Sequence, residues 1–458
     1  MPERPQLVKG LGFYAATSVV AGTMIGTAIF VVPADLIQEV GSPWIVLGVW
    51  AFAGVLSLFG ALGYAELGAA IPEAGGEYVY LHRAYGPLIG FLYGWTQFSV
   101  AKTGSIAAIA TGFNIYLSYF FPRMTEIMWE ASPGGITIRV TGLQIGAAAM
   151  ILLLSTINIL GVRRTGAVQT VFTASKLVVL ALIIILGLAV GNGSFSHLST
   201  TFSSGAPMGF LSALGLAMVS ALWAYDGWNN LSMVAGEVEN PRRNIPRALI
   251  AGTLLVGGVY ILINITYFYV LAPAEMAVTS TVAADAARRF LGGAGGAFVA
   301  VGVMISAFAT LNGSILAGSR IPYAQARAGL FPEVLSAIHP RFHTPAVAIA
   351  AQAIIAGLFA LTGQYRGLYT KVIFAEFLFY MLVTAGIFIL RLREPQLVRP
   401  YRTWGYPLIP AIFVMLSAAL LLNTFLEQRA DSLWGLVLMA IGVPVYFLWK
   451  LWRRRFPA

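Results

Sequence analysis

Two short stretches of this sequence put glycine, hydroxyl and carboxyl groups where long apolar runs would otherwise continue. The first is Gly22-Thr23-Met24-Ile25-Gly26-Thr27-Ala28 and the second is Trp223-Ala224-Tyr225-Asp226-Gly227-Trp228-Asn229-Asn230. A lone glycine in an apolar helix usually serves close helix packing. Glycines set among threonines, or beside an aspartate, read instead as breaks, with Gly22 and Gly227 marking where each helix gives way.

The chemistry open to such a break follows from the backbone. Where a helix unwinds, the N–H groups that start the next half-helix lack partners and carry the positive end of its dipole, which suits a carboxylate. The carbonyls that close the preceding half-helix suit an ammonium. One site offering both fits a zwitterion. Irregular backbone at bilayer depth is tolerated only where it is buried in protein or lines a cavity. Asp226 adds a carboxyl at the second break, where a charge costs about 2.5–3.5 kcal/mol at a helix centre and so needs a role or a partner. It either caps the second half-helix or meets a substrate or a proton.

Three more charges, Lys102, Lys176 and Glu376, fall in the middle of apolar runs. Lys176 lies too far from a run end for its stem to snorkel to an interface. Lys102 and Glu376 either pair or line the pocket, for which Asn229 is a further candidate. Glu66 stands late in its run, where capping or loop contacts explain it. His82, His197, His339 and His343 fall in loops or at run ends without ligand spacing, so no metal is expected. No nucleophile–base cluster stands out, so no catalytic residue and no cofactor is expected either.

The elements that must hold these residues are membrane spans. Of 458 residues, 58% are hydrophobic and 10% charged, and the mean hydropathy is +0.80. Runs of the roughly 20 apolar residues needed to cross a bilayer recur along the chain. They give twelve expected spans, near 11–37, 43–70, 87–119, 140–160, 167–190, 208–234, 247–271, 294–322, 345–362, 369–390, 407–426 and 432–451. Both ends of the chain then lie on one side, taken as cytoplasmic, with the first helix retained and not cleaved as a signal. Nineteen Lys and Arg fall on that side and seven on the other, the bias expected of cytoplasmic loops. The net charge of +10 therefore reads as topology, and no nucleic-acid partner is expected. The organisation is a tail at 1–10, five spans over 11–190, five over 208–391, two more over 407–451, and a basic tail at 452–458. The two five-span blocks each open with a broken helix and run in opposite senses, the pattern of inverted-repeat carriers with a midplane site.

At these residues the sequence resembles the amino acid–polyamine–organocation superfamily, and within it the L-type amino acid transporter family and its bacterial exchangers. The matching stretches are GTMIGTAIF (22–30), GSPW (41–44), YAELGAAIPEAGGEYVY (64–80), FTASK (172–176), WAYDGWNN (223–230), ENPRRNIPRA (239–248), LNGS (311–314) and GLFPEVLSAIHPRFHTP (329–345). The resemblance implies an all-α, leucine-transporter-like fold of twelve helices, with helices 1 and 6 broken, working by alternating access on amino acids. It implies a site at Met24, Ile25, Gly26, Thr27, Ala28, Trp223, Ala224 and Asp226. The carboxylate would meet the N–H groups of Thr27 and Ala28, and the amine the carbonyls of Met24, Trp223 and Asp226. Trp223, where relatives often have phenylalanine, would cover the substrate. Lys176 would stand in place of sodium, bridging helix 1 carbonyls and a helix 8 hydroxyl, for which Ser306 and Thr310 are candidates.

The chain departs from the animal members in Ala28 for a third glycine, Asp226 for a glycine, and a complete lack of cysteine. No disulfide-linked heavy subunit is then expected, and the chain reads as a monomer or a non-covalent homo-oligomer in the inner (cytoplasmic) membrane. The leading expectation is sodium-independent exchange of neutral L-amino acids. Proton symport through Asp226, Glu376 or Lys176 is the nearest alternative, and a carrier of arginine, agmatine or polyamines is another. A channel would need repeated polar rings and a membrane enzyme a clustered site, and neither pattern is present.

Overall fold

The computed structural model describes residues 10–455 except 74, 133–137, 161–164, 192, 203–208 and 343. Most of the two expected tails, the basic pair Arg163 and Arg164, and His343 lie outside the described residues.

The first apolar run is two helices, α1 (Phe13–Met24) and α2 (Ala28–Val40), bent by 43° at the break between them. Gly41 ends α2 in the left-handed region at φ 68°, where a side chain would be strained. Pro43 then starts α3 (Pro43–Ala70) at a position where its missing N–H is not needed. A short α4 (Glu77–Tyr85) leads to α5 (Pro87–Thr96), a π-helical turn (Gln97–Ala101) and α6 (Lys102–Leu117). After a hairpin of β1 (Ile127–Ala131) and β2 (Ile138–Thr141) come α7 (Gly142–Leu160) and α8 (Thr165–Ala189). The second break separates α9 (Phe210–Tyr225) from the single turn α10 (Asn230–Met233). The rest is α11 (Pro241–Val270), α12 (Pro273–Val278), α13 (Val282–Arg327), kinked at Gly292, then α14 (Ala346–Thr362), α15 (Tyr365–Arg393), α16 (Leu408–Glu427) and α17 (Arg429–Arg455).

Among the described residues, eight helices are long and apolar enough to cross a bilayer, or nine if α1 and α2 count as one broken span. This is a polytopic membrane protein. The number is lower than the twelve expected because three of the expected runs do not form one long helix. The run at 87–119 is divided by the π-helical turn, that at 208–234 stops at Tyr225, and α14 has 17 residues. The expectation of an all-α chain is corrected by the hairpin, in which Ile127 faces Thr141 and Glu130 faces Arg139 in antiparallel register. Its two runs of β-branched and aromatic residues flank a Pro-Gly-Gly sequence, a hairpin signal that the surrounding hydropathy hides.

The helices that carry the breaks are buried by their neighbours. The arm formed by α11 packs on both α3 and α1, while α6 is enclosed by α7, α13, α14 and α15. The most apolar stretch of α15 is 67% buried against 22% for that of α16, so α15 is part of the inner bundle and α16 lies at its margin. Unpaired backbone is therefore met by protein and not by lipid.

At one end of the bundle α2 finishes beside the start of α15. At the other, buried Glu66 near the end of α3 accepts Arg391 at 2.9 and 2.7 Å and the Thr403 N–H and hydroxyl at 2.8 Å each. The contact with Thr403 is the loop contact expected for Glu66, and that with Arg391 comes from the end of α15. Beside them, the Arg83 guanidinium, 2.6 Å from Glu394, holds that carboxyl below the usual carboxylate range.

Candidate substrate site

The two breaks touch. Thr23 Oγ1 donates to Gly227 O at 2.8 Å, and Gly227 has φ +114° with no room for a side chain, since a Cβ there would lie 2.9 Å from the Thr23 carbonyl. From α11, the buried Tyr260 hydroxyl stands 2.9 Å from Met24 O and 3.0 Å from Ala224 O, so one side chain spans both breaks. Tyr260 has no polar character in a hydropathy reading, and only the fold brings it to carbonyls in α1 and α9.

Around the first break the carbonyls are largely spoken for. Lys176 of α8, 2% exposed, donates to Gly22 O at 2.9 Å, Ile25 O at 3.0 Å and Thr310 Oγ1 at 2.6 Å. Three acceptors match the three protons of an ammonium. Thr310 passes its own proton to Ser306 O at 3.0 Å, so of the two candidate hydroxyls Thr310 meets the lysine and Ser306 contributes its carbonyl one turn earlier. Met24 O also accepts the Gly26 N–H at 2.9 Å, so both of its lone pairs face protein donors. The Phe30 N–H is taken by Thr27 O at 3.1 Å, and the N–H groups of Ala28 and Ile29 that open α2 precede the first intrahelical acceptor.

Between the breaks is a cavity of about 30 Å³ bordered by Met24, Gly26, Thr27, Ala28, Trp223 and Asp226, with Lys102 and Asn230 on its far wall. That is room for about one or two waters. Asp226 Oδ1 accepts the Tyr380 hydroxyl at 2.6 Å and its carboxyl also meets the adjacent Gly227 N–H, so it lines the pocket, while α10 begins after Asn229 with no side-chain cap. Lys102 does not pair with Glu376. It donates to Asn230 Oδ1 at 3.0 Å, whereas Glu376 accepts Gln97 Nε2 at 2.9 Å one layer behind the pocket. The π-helical turn that carries Gln97 ends at Lys102 and aims both inward, a common use of such bulges. Asn229 does not reach the pocket either. Its amide donates at 2.7 Å to Glu77, a fully buried carboxyl that also accepts Tyr93 at 3.0 Å. Adjacent residues at the end of a broken helix point apart, which the order of letters does not reveal.

Trp223 closes one side. Its ring stacks on Tyr369 at 6.0 Å with 10° between planes, and its Nε1 donates to Tyr365 Oη at 3.1 Å. Tyr365 Oη is also 3.4 Å from Thr27 Oγ1. Tyr369 in turn donates to Asp35 at 2.9 Å and lies 3.0 Å from Ser220 Oγ, while Arg366 pairs with buried Glu39. The first turn of α15 thus ties α2 to α9 above the pocket through three consecutive layers.

The chain belongs to the amino acid permease family, whose profile matches residues 11–448. It is 36% identical over 449 residues to the b(0,+)-type amino acid transporter 1 of Homo sapiens, covering 98% of this chain and 89% of the relative. It is 34% identical over 453 residues to the large neutral amino acids transporter small subunit 2 of Mus musculus, covering 98% and 82%. The Asc-type amino acid transporter 1 of Mus musculus is 32% identical over 455 residues, covering 99% and 83%. These are L-type relatives, and they are transporters, not enzymes.

They also correct one expectation. The lack of cysteine suggests a chain that works without a heavy subunit, as a monomer or non-covalent homo-oligomer. The second relative is by its name the small subunit of a transporter, so a protein this similar works beside another subunit. Buried contact area holds most interfaces together and a disulfide only adds to it, so cysteine content is no ground for expecting solitary action.

Proposed function

We propose that the protein carries neutral L-amino acids across the cytoplasmic membrane by alternating access, without sodium and by exchange, with both termini cytoplasmic. The chain then crosses the membrane twelve times, with 11–190 and 208–391 as inverted repeats. The observation that carries the reading is Lys176, whose ammonium is held by Gly22 O, Ile25 O and Thr310 Oγ1 against the first break. A fixed positive charge at that place supplies what a bound sodium ion would otherwise bring. The substrate carboxylate meets the N–H groups of Thr27 and Ala28, and its amine meets carbonyls of the second break at Trp223 and Asp226.

A cavity of about 30 Å³ is too small for an amino acid, so binding requires the helices around it to part. Lys102 on the pocket wall supports neutral over cationic side chains. Proton coupling is the second reading, favoured by the Asp226 carboxyl at the pocket edge with Tyr380 on it.

Counterflow tests both. Liposomes holding the purified protein in sodium-free buffer should accumulate labelled amino acid when preloaded with unlabelled amino acid, and not when empty. Uphill uptake into empty vesicles on a pH gradient alone would favour the second reading and overturn exchange.

A further inference from the structure

Beyond the pocket, at the end where α15 begins, lies a second cavity of about 990 Å³, at the top of the size range of small-molecule sites. Thr111 and Ile115 of α6, Arg139 of the hairpin, Gln144 of α7, and Gln364 and Tyr365 at the α14–α15 turn contribute to its wall. Two features connect it to the pocket. Tyr365 borders this cavity, and its hydroxyl lies 3.4 Å from Thr27 and accepts Trp223 Nε1 at 3.1 Å, so it stands between this cavity and two residues of the pocket wall. The α6 helix runs past both, giving Ile109 to the pocket and Thr111 to the cavity.

The lining has the two-sided character of an amino acid. Among the described residues, Arg139 is the single charged side chain on it, and Ile115, Ile127 and Leu143 give it an apolar face. Arg139 is 61% exposed and paired at 3.2 Å with Glu130, which lies directly across the hairpin. An exposed pair of this kind contributes little stability, so its guanidinium exchanges partners at low cost. Gln144 is not available in the same way. Its amide bonds Leu361 O at 3.1 Å and Gly363 O at 3.3 Å and fixes the floor of the cavity.

We propose that this cavity is a second, weaker site for a zwitterionic amino acid, an antechamber in which Arg139 takes the carboxylate before Tyr365 yields to the inner pocket. The proposal rests on the transport reading above and adds a place where substrate waits. Charge-assisted, two-pronged recognition of a carboxylate suits arginine in particular.

Because the chain has no cysteine, single introduced thiols report cleanly. Ser105 of α6 lines the pocket and Gln364 the cavity, so in proteoliposomes Gln364→Cys and Ser105→Cys report the antechamber and the pocket through their rates of modification by a small thiol reagent. L-Leucine should slow modification of both, with a higher half-protecting concentration at Gln364→Cys. Adding Arg139→Ala should raise that concentration about tenfold, as loss of a charged hydrogen bond does, and Arg139→Lys should restore part of it. It should leave protection at Ser105→Cys within about twofold, since the pocket is intact, which also shows that the protein is folded. Protection at Ser105→Cys alone would overturn the antechamber and spare the transport reading, while protection at neither would overturn both. Protection at Gln364→Cys by anionic phospholipid vesicles but not by leucine would also overturn it, making Arg139 a lipid headgroup contact.

Discussion

Lys176 Nζ lies 2.6 Å from Thr310 Oγ1, the shortest of its three hydrogen bonds, and so joins the middle of α8 to the middle of α13 behind the first break. The same ammonium holds two carbonyls that a regular helix would have used internally. Removing the charge while keeping the chain length separates its two roles. Lys176→Met should reduce uptake by at least about tenfold, because the carbonyls of Gly22 and Ile25 lose a donor that orients the break. Thr310→Val, which leaves both carbonyl contacts in place, should cost about 1.5–3 kcal/mol of stability and a smaller fraction of transport. Initial uptake rates and thermal melting of the two variants check this order.

At Gly227 the backbone tolerates no side chain. A Cβ there would come within 2.9 Å of the Thr23 carbonyl, in a left-handed conformation that already disfavours it. Gly227→Ala should therefore separate the breaks and abolish measurable binding. By contrast, a Cβ at Gly26 would meet nothing nearer than Thr310 Cγ2 at 3.9 Å. Gly26→Ala should melt within a few degrees of the parent while weakening binding by intruding on a pocket of about 30 Å³. Ligand-induced melting shifts in both variants give the comparison.

The layers above the pocket, Tyr365–Trp223, Tyr369–Asp35 and Arg366–Glu39, make the outer closure under the proposed orientation. Arg366→Ala leaves Glu39 as a buried, uncompensated carboxyl and so favours any arrangement that lets water reach it. In a Ser105→Cys background it should speed thiol modification from outside several-fold, while Tyr365→Phe, which strands the Trp223 indole N–H, should do so to a lesser degree. Unchanged rates in both would place the closure elsewhere.

At the opposite end Glu66 is a structural anchor. It is 1% exposed and ties the end of α15 and the segment after it to α3. Glu66→Ala leaves Arg391 and the Thr403 N–H without their acceptor and should cost about 3–5 kcal/mol. The half-saturating substrate concentration of the protein that does fold should stay near the parent value, as measured by uptake.

What the sequence discloses here are the residues that violate the rule of their surroundings. Gly22, Gly227, Asp226 and Lys176 stand out because a glycine pair or a charge in hydrocarbon needs a reason. The partners that satisfy them are harder to see. Tyr260, Tyr365 and Tyr380 pass as apolar in a hydropathy count, yet their hydroxyls reach Met24 O, Trp223 Nε1 and Asp226 across separations of more than a hundred residues. Glu77 sits in what reads as a loop motif and is fully buried only because α4 folds back against α5 and the end of the second break. The π-helical turn leaves no mark in composition, although it decides that Gln97 and Lys102 both face inward.

Under the proposed function, a lysine at the first break does the work of a sodium ion. Initial uptake of L-leucine into proteoliposomes, with external sodium chloride replaced by choline chloride at constant ionic strength, tests it most directly. The rates should agree within experimental error. A loss of uptake in choline, restored in proportion to added sodium, would show that Lys176 does not replace the ion.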